Sequence, residues 1–113
     1  MLIVDDHAPF RRAARVLFEA DGYKVVGEAE DGQGALDEAA RLRPEIVLLD
    51  VQLPDFDGFE VARRLADAGL EAAIVLTSTR DGAAYRRRLA HSPIRGFIPK
   101  SELAGAAVAA LVA

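Results

Sequence analysis

The stretch Ile46–Asp50 constrains the fold more than any other part of the chain. Four consecutive apolar residues end there in a carboxylate, and turn-forming residues follow from 51 to 58. An apolar run of this length, bounded by a turn, predicts a strand buried on both faces. Its carboxylate then lies at the edge of the sheet, where open α/β folds bind ligands. Asp50 is a candidate functional residue, although an Asp that merely opens a turn is an equally good interpretation of this stretch alone.

Apolar runs and helical patterns alternate along the rest of the chain. The patterns predict strands at 2–4, 23–29, 45–49, 73–77 and 95–98, and helices at 9–20, 31–43, 58–68 and 82–90, with a last helix capped by Ser101. Such alternation predicts right-handed crossovers and a mostly parallel sheet covered on both faces. We expect an α/β, flavodoxin-like (βα)5 doubly wound sheet with strand order 2-1-3-4-5.

Length and composition limit the number of domains and the kinds of site and partner that we expect for this chain. The 113 residues suit one domain, 1–113, and the absence of cysteine excludes disulfides and thiolate metal sites. No apolar run is long enough for a membrane helix, and no secretory signal is visible, so we expect a cytoplasmic protein with no membrane partner. The net charge of −4 argues against direct nucleic-acid binding by this domain.

Polar residues follow four of the predicted strands. They are Asp5 and Asp6, then Asp50, Ser78 and Lys100. Each alone is more often a turn, cap or surface residue, but the carboxyl ends of parallel strands meet at one edge of the sheet. We therefore expect the three carboxylates to lie close together, with Ser78 and Lys100 beside them.

Clustered carboxylates repel one another, and a divalent cation removes that repulsion. Oxygen ligands without His or Cys favour Mg²⁺, with Mn²⁺ as the alternative. Carboxylates are also known nucleophiles that form aspartyl phosphates. The pattern predicts that Asp50 accepts a phosphoryl group, with Lys100 as a fixed positive charge and the Ser78 hydroxyl as a hydrogen-bond donor to a phosphoryl oxygen.

The chain resembles the receiver domains of two-component response regulators over essentially its whole length. The resemblance is carried by Val4-Asp5-Asp6-His7, by the block from Leu48-Leu49-Asp50 to Asp57-Gly58, by Ser78, and by Gly96-Phe97-Ile98-Pro99-Lys100. It implies that a histidine kinase phosphorylates Asp50. It also implies Mg²⁺ binding by Asp6, Asp50 and the Gln52 backbone carbonyl, with Asp5 acting largely through water.

The resemblance further implies a switch. Ser78 would move toward the phosphoryl group, and the aromatic Phe97, which stands where Tyr is frequent, would turn inward. Asp5-Asp6-His7 and Lys100-Ser101-Glu102-Leu103 are similar to receivers of LuxR-type transcription regulators. Those regulators carry a C-terminal helix-turn-helix output domain, which these 113 residues do not include, so the output domain is either fused in a longer protein or separate.

Two alternatives to the phosphorylation-dependent switch remain at this point. An aspartyl-phosphate phosphohydrolase usually has a second acid two residues after the nucleophile, where this chain has Gln52, and it needs a substrate-covering cap. An interaction or dimerisation module would not need the full set of polar residues. We therefore expect the domain to have no enzymatic activity beyond slow self-dephosphorylation. The alanine-rich outer side of the last helix permits a homodimer contact.

The segment between Arg80 and Arg95 departs most from the family pattern. Arg86-Arg87-Arg88 makes the predicted fourth helix polar, and Pro93 is expected to end or shorten it. In an acidic domain, three consecutive arginines more often form a solvated face than a nucleic-acid patch.

Overall fold

Five short parallel strands form the sheet at the centre of the computed structural model, which describes residues 1–113. The strands are β1 (Leu2–Val4), β2 (Gly27–Ala29), β3 (Ile46–Asp50), β4 (Ala73–Ser78) and β5 (Gly96–Pro99). They are hydrogen-bonded in the order β2-β1-β3-β4-β5, and every neighbouring pair is parallel. The predicted flavodoxin-like architecture and strand order are confirmed.

Five helices connect and cover the strands. They are α1 (Ala8–Ala20), α2 (Gly32–Leu42), α3 (Gly58–Asp67), α4 (Arg86–Ala90) and α5 (Gly105–Val112). Local sequence explains three of the starts. Pro9 lies in the first turn of α1, and the side chains of Asp31 and Asp57 accept main-chain hydrogen bonds at the starts of α2 and α3. None of these helices combines the length and the apolar character that crossing a membrane would require.

The sheet separates two apolar layers, and β3 contributes to both because its side chains alternate in direction. Val47 and Leu49 pack in the layer that includes α2 and α3, whereas Leu48 packs with Phe18 of α1 and Val108 of α5. These five side chains are almost completely buried. The apolar part of β3 is thus enclosed on both faces, and its polar residue, Asp50, comes only at the end of the strand.

The second strand is shorter than predicted. The pattern at 23–29 predicts seven residues of strand, but only Gly27–Ala29 pairs with β1. Because β1 itself has three residues, 23–26 have no neighbouring strand to pair with. They are held instead by the chain terminus: the Met1 ammonium donates to the Lys24 carbonyl at 2.7 Å, and the Val26 N–H donates to the Met1 carbonyl at 2.9 Å.

The prediction that Ser101 caps the last helix is wrong. Ser101 lies in the 3₁₀ turn Lys100–Glu102, and α5 begins only at Gly105. The Gly105 N–H donates to Oδ2 of Asp21, at the end of α1, over 2.9 Å, and the Tyr23 hydroxyl donates to the Gly105 carbonyl at 2.8 Å. A carboxylate that is remote in sequence therefore accepts the hydrogen bond of the first N–H group of α5.

The fourth helix is short, in agreement with the effect expected of Pro93. It begins as the 3₁₀ turn Gly82–Tyr85, continues as the five residues of α4, and ends at Ala90. All three consecutive arginines of α4 are exposed.

Gly58, the first residue of α3, lets the chain turn tightly against the end of β3. Its N–H donates to the Val51 carbonyl at 2.8 Å. A β-carbon at this position would collide with the backbone oxygen of Asp50 and would lie 3.0 Å from the Val51 Cα. Since these are backbone atoms, they cannot move aside as the end of a flexible side chain can. Glycine at this position therefore helps to fix where Asp50 lies.

We expect Gly58→Ala to lower the free energy of unfolding by about 2 to 3 kcal/mol, because the added methyl group must displace the end of β3. Gly69→Ala is the control: its φ is 80°, and an added β-carbon meets nothing within 4 Å. Only the left-handed backbone then opposes the side chain, at a cost of about 1 kcal/mol. Urea denaturation measures both variants, and equal losses would contradict the close approach at Gly58.

Candidate functional site

Residues from three strand ends converge at the carboxyl edge of the sheet. Asp5 and Asp6 follow β1, Asp50 ends β3, and Lys100 follows β5. One carboxylate oxygen from each aspartate lies within 4.8 Å of the other two. Asp5 is fully buried and Asp50 is 4% exposed, whereas Asp6 is exposed. The structure thus brings together the carboxylates that the topology places at one edge, with Asp6 on the solvent side.

Lys100 is the positive charge of this cluster. Its Nζ donates to Oδ2 of Asp5 at 2.6 Å and lies 3.4 Å from Oδ2 of Asp50. The same ammonium lies 4.2 Å from the centre of the Phe10 ring in the first turn of α1, a cation–π contact. Contacts with two carboxylates and one aromatic face hold the Lys100 charge at the site, and only 17% of the side chain is exposed.

The first turn of α1 also fixes Asp5. The main-chain N–H of His7 donates to Oδ1 of Asp5 at 2.8 Å, and Nη1 of Arg11 donates to the Asp5 main-chain carbonyl at 2.5 Å. Both Asp5 carboxylate oxygens therefore have donors, one from His7 and one from Lys100. A fully buried carboxylate requires such partners, since an unpaired one would be strongly destabilising.

Burial and neighbouring charge act in opposite directions on Asp50. Burial and, next, the charge of Asp5 raise the pKa of Asp50, while Lys100 and the Gln52 N–H oppose the rise; the resulting pKa is about 6. Burial also lowers the pKa of Lys100, but the hydrogen bond to Asp5 and the charge of Asp50 outweigh that effect, so its pKa lies above the ordinary value. Lys100 therefore stays charged over the range in which Asp50 titrates.

The cluster has the chemistry of a site for a hard divalent cation. Its ligand atoms are carboxylate oxygens, with no ring nitrogen or sulfur among them. The Gln52 N–H donates to Oδ1 of Asp50 at 3.2 Å, which brings the main chain after β3 beside that carboxylate. A cation would relieve the repulsion between these carboxylates, so the residues present fit a metal ion.

Ser78 has a different set of partners. It is the last residue of β4 and is fully buried. Its hydroxyl oxygen accepts from the Arg80 N–H at 3.1 Å and shares a hydrogen bond with the Tyr85 hydroxyl, also at 3.1 Å. Neither partner belongs to the carboxylate cluster.

Phe97 of β5 is half-buried and lies against Tyr85. The two ring centres are 5.7 Å apart, and Tyr85 lies at the same distance from Phe59 of α3. The aromatic at the predicted switch position is therefore one member of a three-ring group that joins β5, α3 and the turn before α4.

Sequence reasoning did not single out Phe10 or Tyr85. Phe10 lies on the apolar face of α1, so its periodicity alone indicates a core residue. Tyr85 is a lone aromatic in the polar segment before the three arginines, and that contrast is the one local signal that marks it. Their partners, Lys100 and Ser78, become visible only once the chain is folded.

Comparison with known proteins identifies the same family as the sequence motifs do. A family model of the response regulator receiver domain matches residues 1–111. A putative transcriptional regulator of Pseudomonas aeruginosa is 39% identical over 102 residues, which are 90% of this chain and 49% of that protein. The chain spans about half the length of curated relatives such as this one.

Solved structures of response regulators are similar to this chain in fold. The signal receiver domain of the putative response regulator NarL from Mycobacterium tuberculosis superposes with a TM-score of 0.86 at 30% identity, covering 97% of this chain and 93% of that one. A LuxR-family two-component response regulator from Aurantimonas superposes with a TM-score of 0.84 at 29% identity, covering 97% and 82%.

Asp50→Asn should stabilise the metal-free protein at neutral pH. Folding raises the pKa of Asp50 from 3.8 to about 6, so the folded state holds this proton more tightly than the unfolded state does. Wild-type stability therefore falls as the pH rises through that interval. The uncharged amide avoids the loss, and we expect a gain of roughly 2 kcal/mol above pH 7 that vanishes below about pH 4.

Urea denaturation in the presence of a chelator, at both pH values, tests this expectation. The control is Asp67→Asn, the same exchange at the exposed end of α3, which should change the free energy of unfolding by less than about 0.5 kcal/mol. A gain from Asp50→Asn that is the same at both pH values would contradict a raised pKa.

Proposed function

The chain belongs to the response regulator receiver family, and we propose that it is a phosphorylation-dependent signalling switch whose phosphoacceptor is Asp50. The supporting observation is the placement of this carboxylate, which is buried at the end of β3 beside Asp5 and Lys100. A nucleophile in such a position has a fixed orientation and a fixed positive charge beside it. Both features favour phosphoryl transfer, which depends on positioning and charge stabilisation.

The proposed donor is a histidine kinase, as in other members of the family. An Asp50 carboxylate oxygen forms the new bond to phosphorus, while the bond from phosphorus to the donor nitrogen breaks and the nitrogen keeps the electron pair. The product is an aspartyl phosphate. The domain is then the substrate of the kinase and has at most slow self-dephosphorylation of its own.

The proposed cation is Mg²⁺, held by Asp6, Asp50 and the Gln52 carbonyl, with Asp5 contributing largely through water. When bound, it supplies charge neutralisation at the phosphoryl oxygens. The two aspartates after β1 are placed to support ion binding. Asp6 is exposed to solvent, and Asp5 is held by hydrogen bonds from His7 and Lys100. Mn²⁺ has the same ligand preference and is the alternative ion.

Ser78 and Lys100 are the proposed sensors of the phosphoryl group, and Ser78 and Phe97 the proposed switch. Lys100 already contacts Asp50, so its ammonium can pair with the negative charge of a phosphoryl group on Asp50 without a large movement. Ser78 lies at the end of the strand beside β3 but is bound to Tyr85 and Arg80, so it must move. Phe97 contacts Tyr85 and would respond to that movement.

The proposed output is control of transcription through a DNA-binding domain, fused or separate. The support comes from relatives described as transcriptional regulators, of which this chain matches about half the length. We further propose that the domain itself does not bind nucleic acid, since its net charge is −4. A homodimer through the exposed alanines of α5 is a further proposed contact.

Acetyl phosphate with Mg²⁺ should add one phosphoryl group to the wild-type protein. Intact-mass spectrometry should show a single adduct of about 80 Da, because a reactive small donor can replace the kinase when the receiver is competent. The adduct should be absent in Asp50→Asn and unchanged in Asp67→Asn. No adduct on the wild-type protein would refute the proposal, and an adduct that survives Asp50→Asn would place the phosphoryl group elsewhere.

Millimolar Mg²⁺ should stabilise the wild-type protein, and Asp6→Asn should remove most of that effect. Ligand binding to the folded state adds about 1 kcal/mol or more at ten times the dissociation constant. Asp6 is exposed, so its substitution leaves the core intact and isolates metal binding from folding. Thermal unfolding with Mg²⁺ or with chelator measures the difference, and Asp67→Asn is the control. Equal Mg²⁺ stabilisation of Asp6→Asn and the wild type would exclude Asp6 as a ligand.

A further inference from the structure

The Ser78 hydroxyl has two hydrogen-bond partners in the segment that follows β4. Its oxygen accepts from the Arg80 N–H at 3.1 Å, and it shares a second hydrogen bond with the Tyr85 hydroxyl at 3.1 Å. Ser78 is completely buried and Tyr85 is 8% exposed. Water therefore has little access to replace either bond, and the hydroxyl cannot approach Asp50 without losing a buried partner.

Tyr85 is itself held firmly. Its ring packs between Phe59 and Phe97, with both centres 5.7 Å away. Phe59 is covered on another side by Arg88 of α4, whose guanidinium lies 4.1 Å from the ring centre. The Tyr85 hydroxyl is thus a fixed polar group on the middle ring of a packed aromatic group.

We infer that Tyr85 is a positioning residue that holds the Ser78 hydroxyl away from Asp50 in the unphosphorylated protein. The inference rests on the proposed function, because it concerns how readily Ser78 reaches a phosphoryl group on Asp50. Phe97 cannot hydrogen-bond to Ser78, so the hydroxyl that restrains Ser78 comes from the turn before α4 rather than from β5. Phosphorylation and the Tyr85 hydroxyl then compete for the same Ser78 side chain.

The competition has a measurable consequence. A conformation in which Ser78 faces Asp50 must give up the bond to Tyr85, so this bond lowers the population of the reactive conformation. Removing it should raise that population by about two- to tenfold, the range that corresponds to one ordinary hydrogen bond. Phosphorylation by a small donor should accelerate by the same factor.

The direct test is Tyr85→Phe, which keeps the ring and removes the hydroxyl. We expect about a two- to tenfold faster formation of the phosphoryl adduct with acetyl phosphate and Mg²⁺, followed by intact mass. The matched control is Tyr23→Phe, because Tyr23 is the other tyrosine and also loses one hydrogen bond, to the Gly105 carbonyl on the opposite side of the sheet. Tyr23→Phe should leave the rate unchanged.

A double-mutant cycle shows whether Tyr85 acts through Ser78. If it does, Tyr85→Phe should have no effect on the rate in a Ser78→Ala background. An equal acceleration in that background would overturn the inference, since Tyr85 would then act through packing or through α4. An unaltered rate in Tyr85→Phe itself would overturn it too.

A second readout does not need phosphorylation. The Arg80 N–H donates to the Ser78 oxygen, so freeing Ser78 should speed hydrogen exchange of this amide, measured by NMR, by about two- to tenfold in Tyr85→Phe but not in Tyr23→Phe. Faster exchange in a protein that takes up no phosphoryl group would support the restraint of Ser78 while refuting the proposed function. Unchanged Arg80 exchange would overturn the restraint whatever the phosphorylation result.

Discussion

The ion pair between Lys100 and Asp5 is the interaction on which the site depends. Asp5 is fully buried, and a buried carboxylate without a counter-charge is too costly to maintain. The Lys100 ammonium, 2.6 Å from Oδ2, makes that burial tolerable. Three carboxylates and one ammonium still leave a formal charge of −2 in the cluster. Burial and, next, the charge of Asp5 raise the pKa of Asp50. The residual charge of the cluster equals the charge of one divalent cation in magnitude.

That ion pair also ties the site to completion of the fold. Asp5 follows the first strand and Lys100 follows the last, so the pair forms only when β5 has joined the sheet. Phe10 and His7, at the start of α1, then hold the two charged groups from the other side. The charged cluster therefore has little freedom of its own, and its geometry follows from the sheet and the first turn of α1.

The general arrangement could be predicted because it follows from two local signals and one topological rule. Apolar runs that alternate with helical periodicity indicate the strands, and parallel strands bring Asp5, Asp50 and Lys100 to one edge. The cap of α5 could not be predicted in this way. A local reading finds Ser101, whereas the carboxylate that accepts from Gly105 is Asp21, 84 residues earlier. The hydrogen bond between Ser78 and Tyr85 is hidden for the same reason, since it depends on where the segment before α4 lies against β4.

Two polar side-chain contacts reach the α4 region, one from the residue before α3 and one from the end of β4, and they differ in strength. Arg88 donates to Oδ2 of Asp57 at 2.7 Å, but about half of the arginine side chain is exposed, so this ion pair contributes little. The bond between Ser78 and Tyr85 is buried, and water cannot easily replace it. A change at Asp50 that attracts Ser78 would therefore disturb the stronger of the two contacts. Because Tyr85 packs against Phe97 and Phe59, the disturbance would reach β5 and α3 together rather than α4 alone.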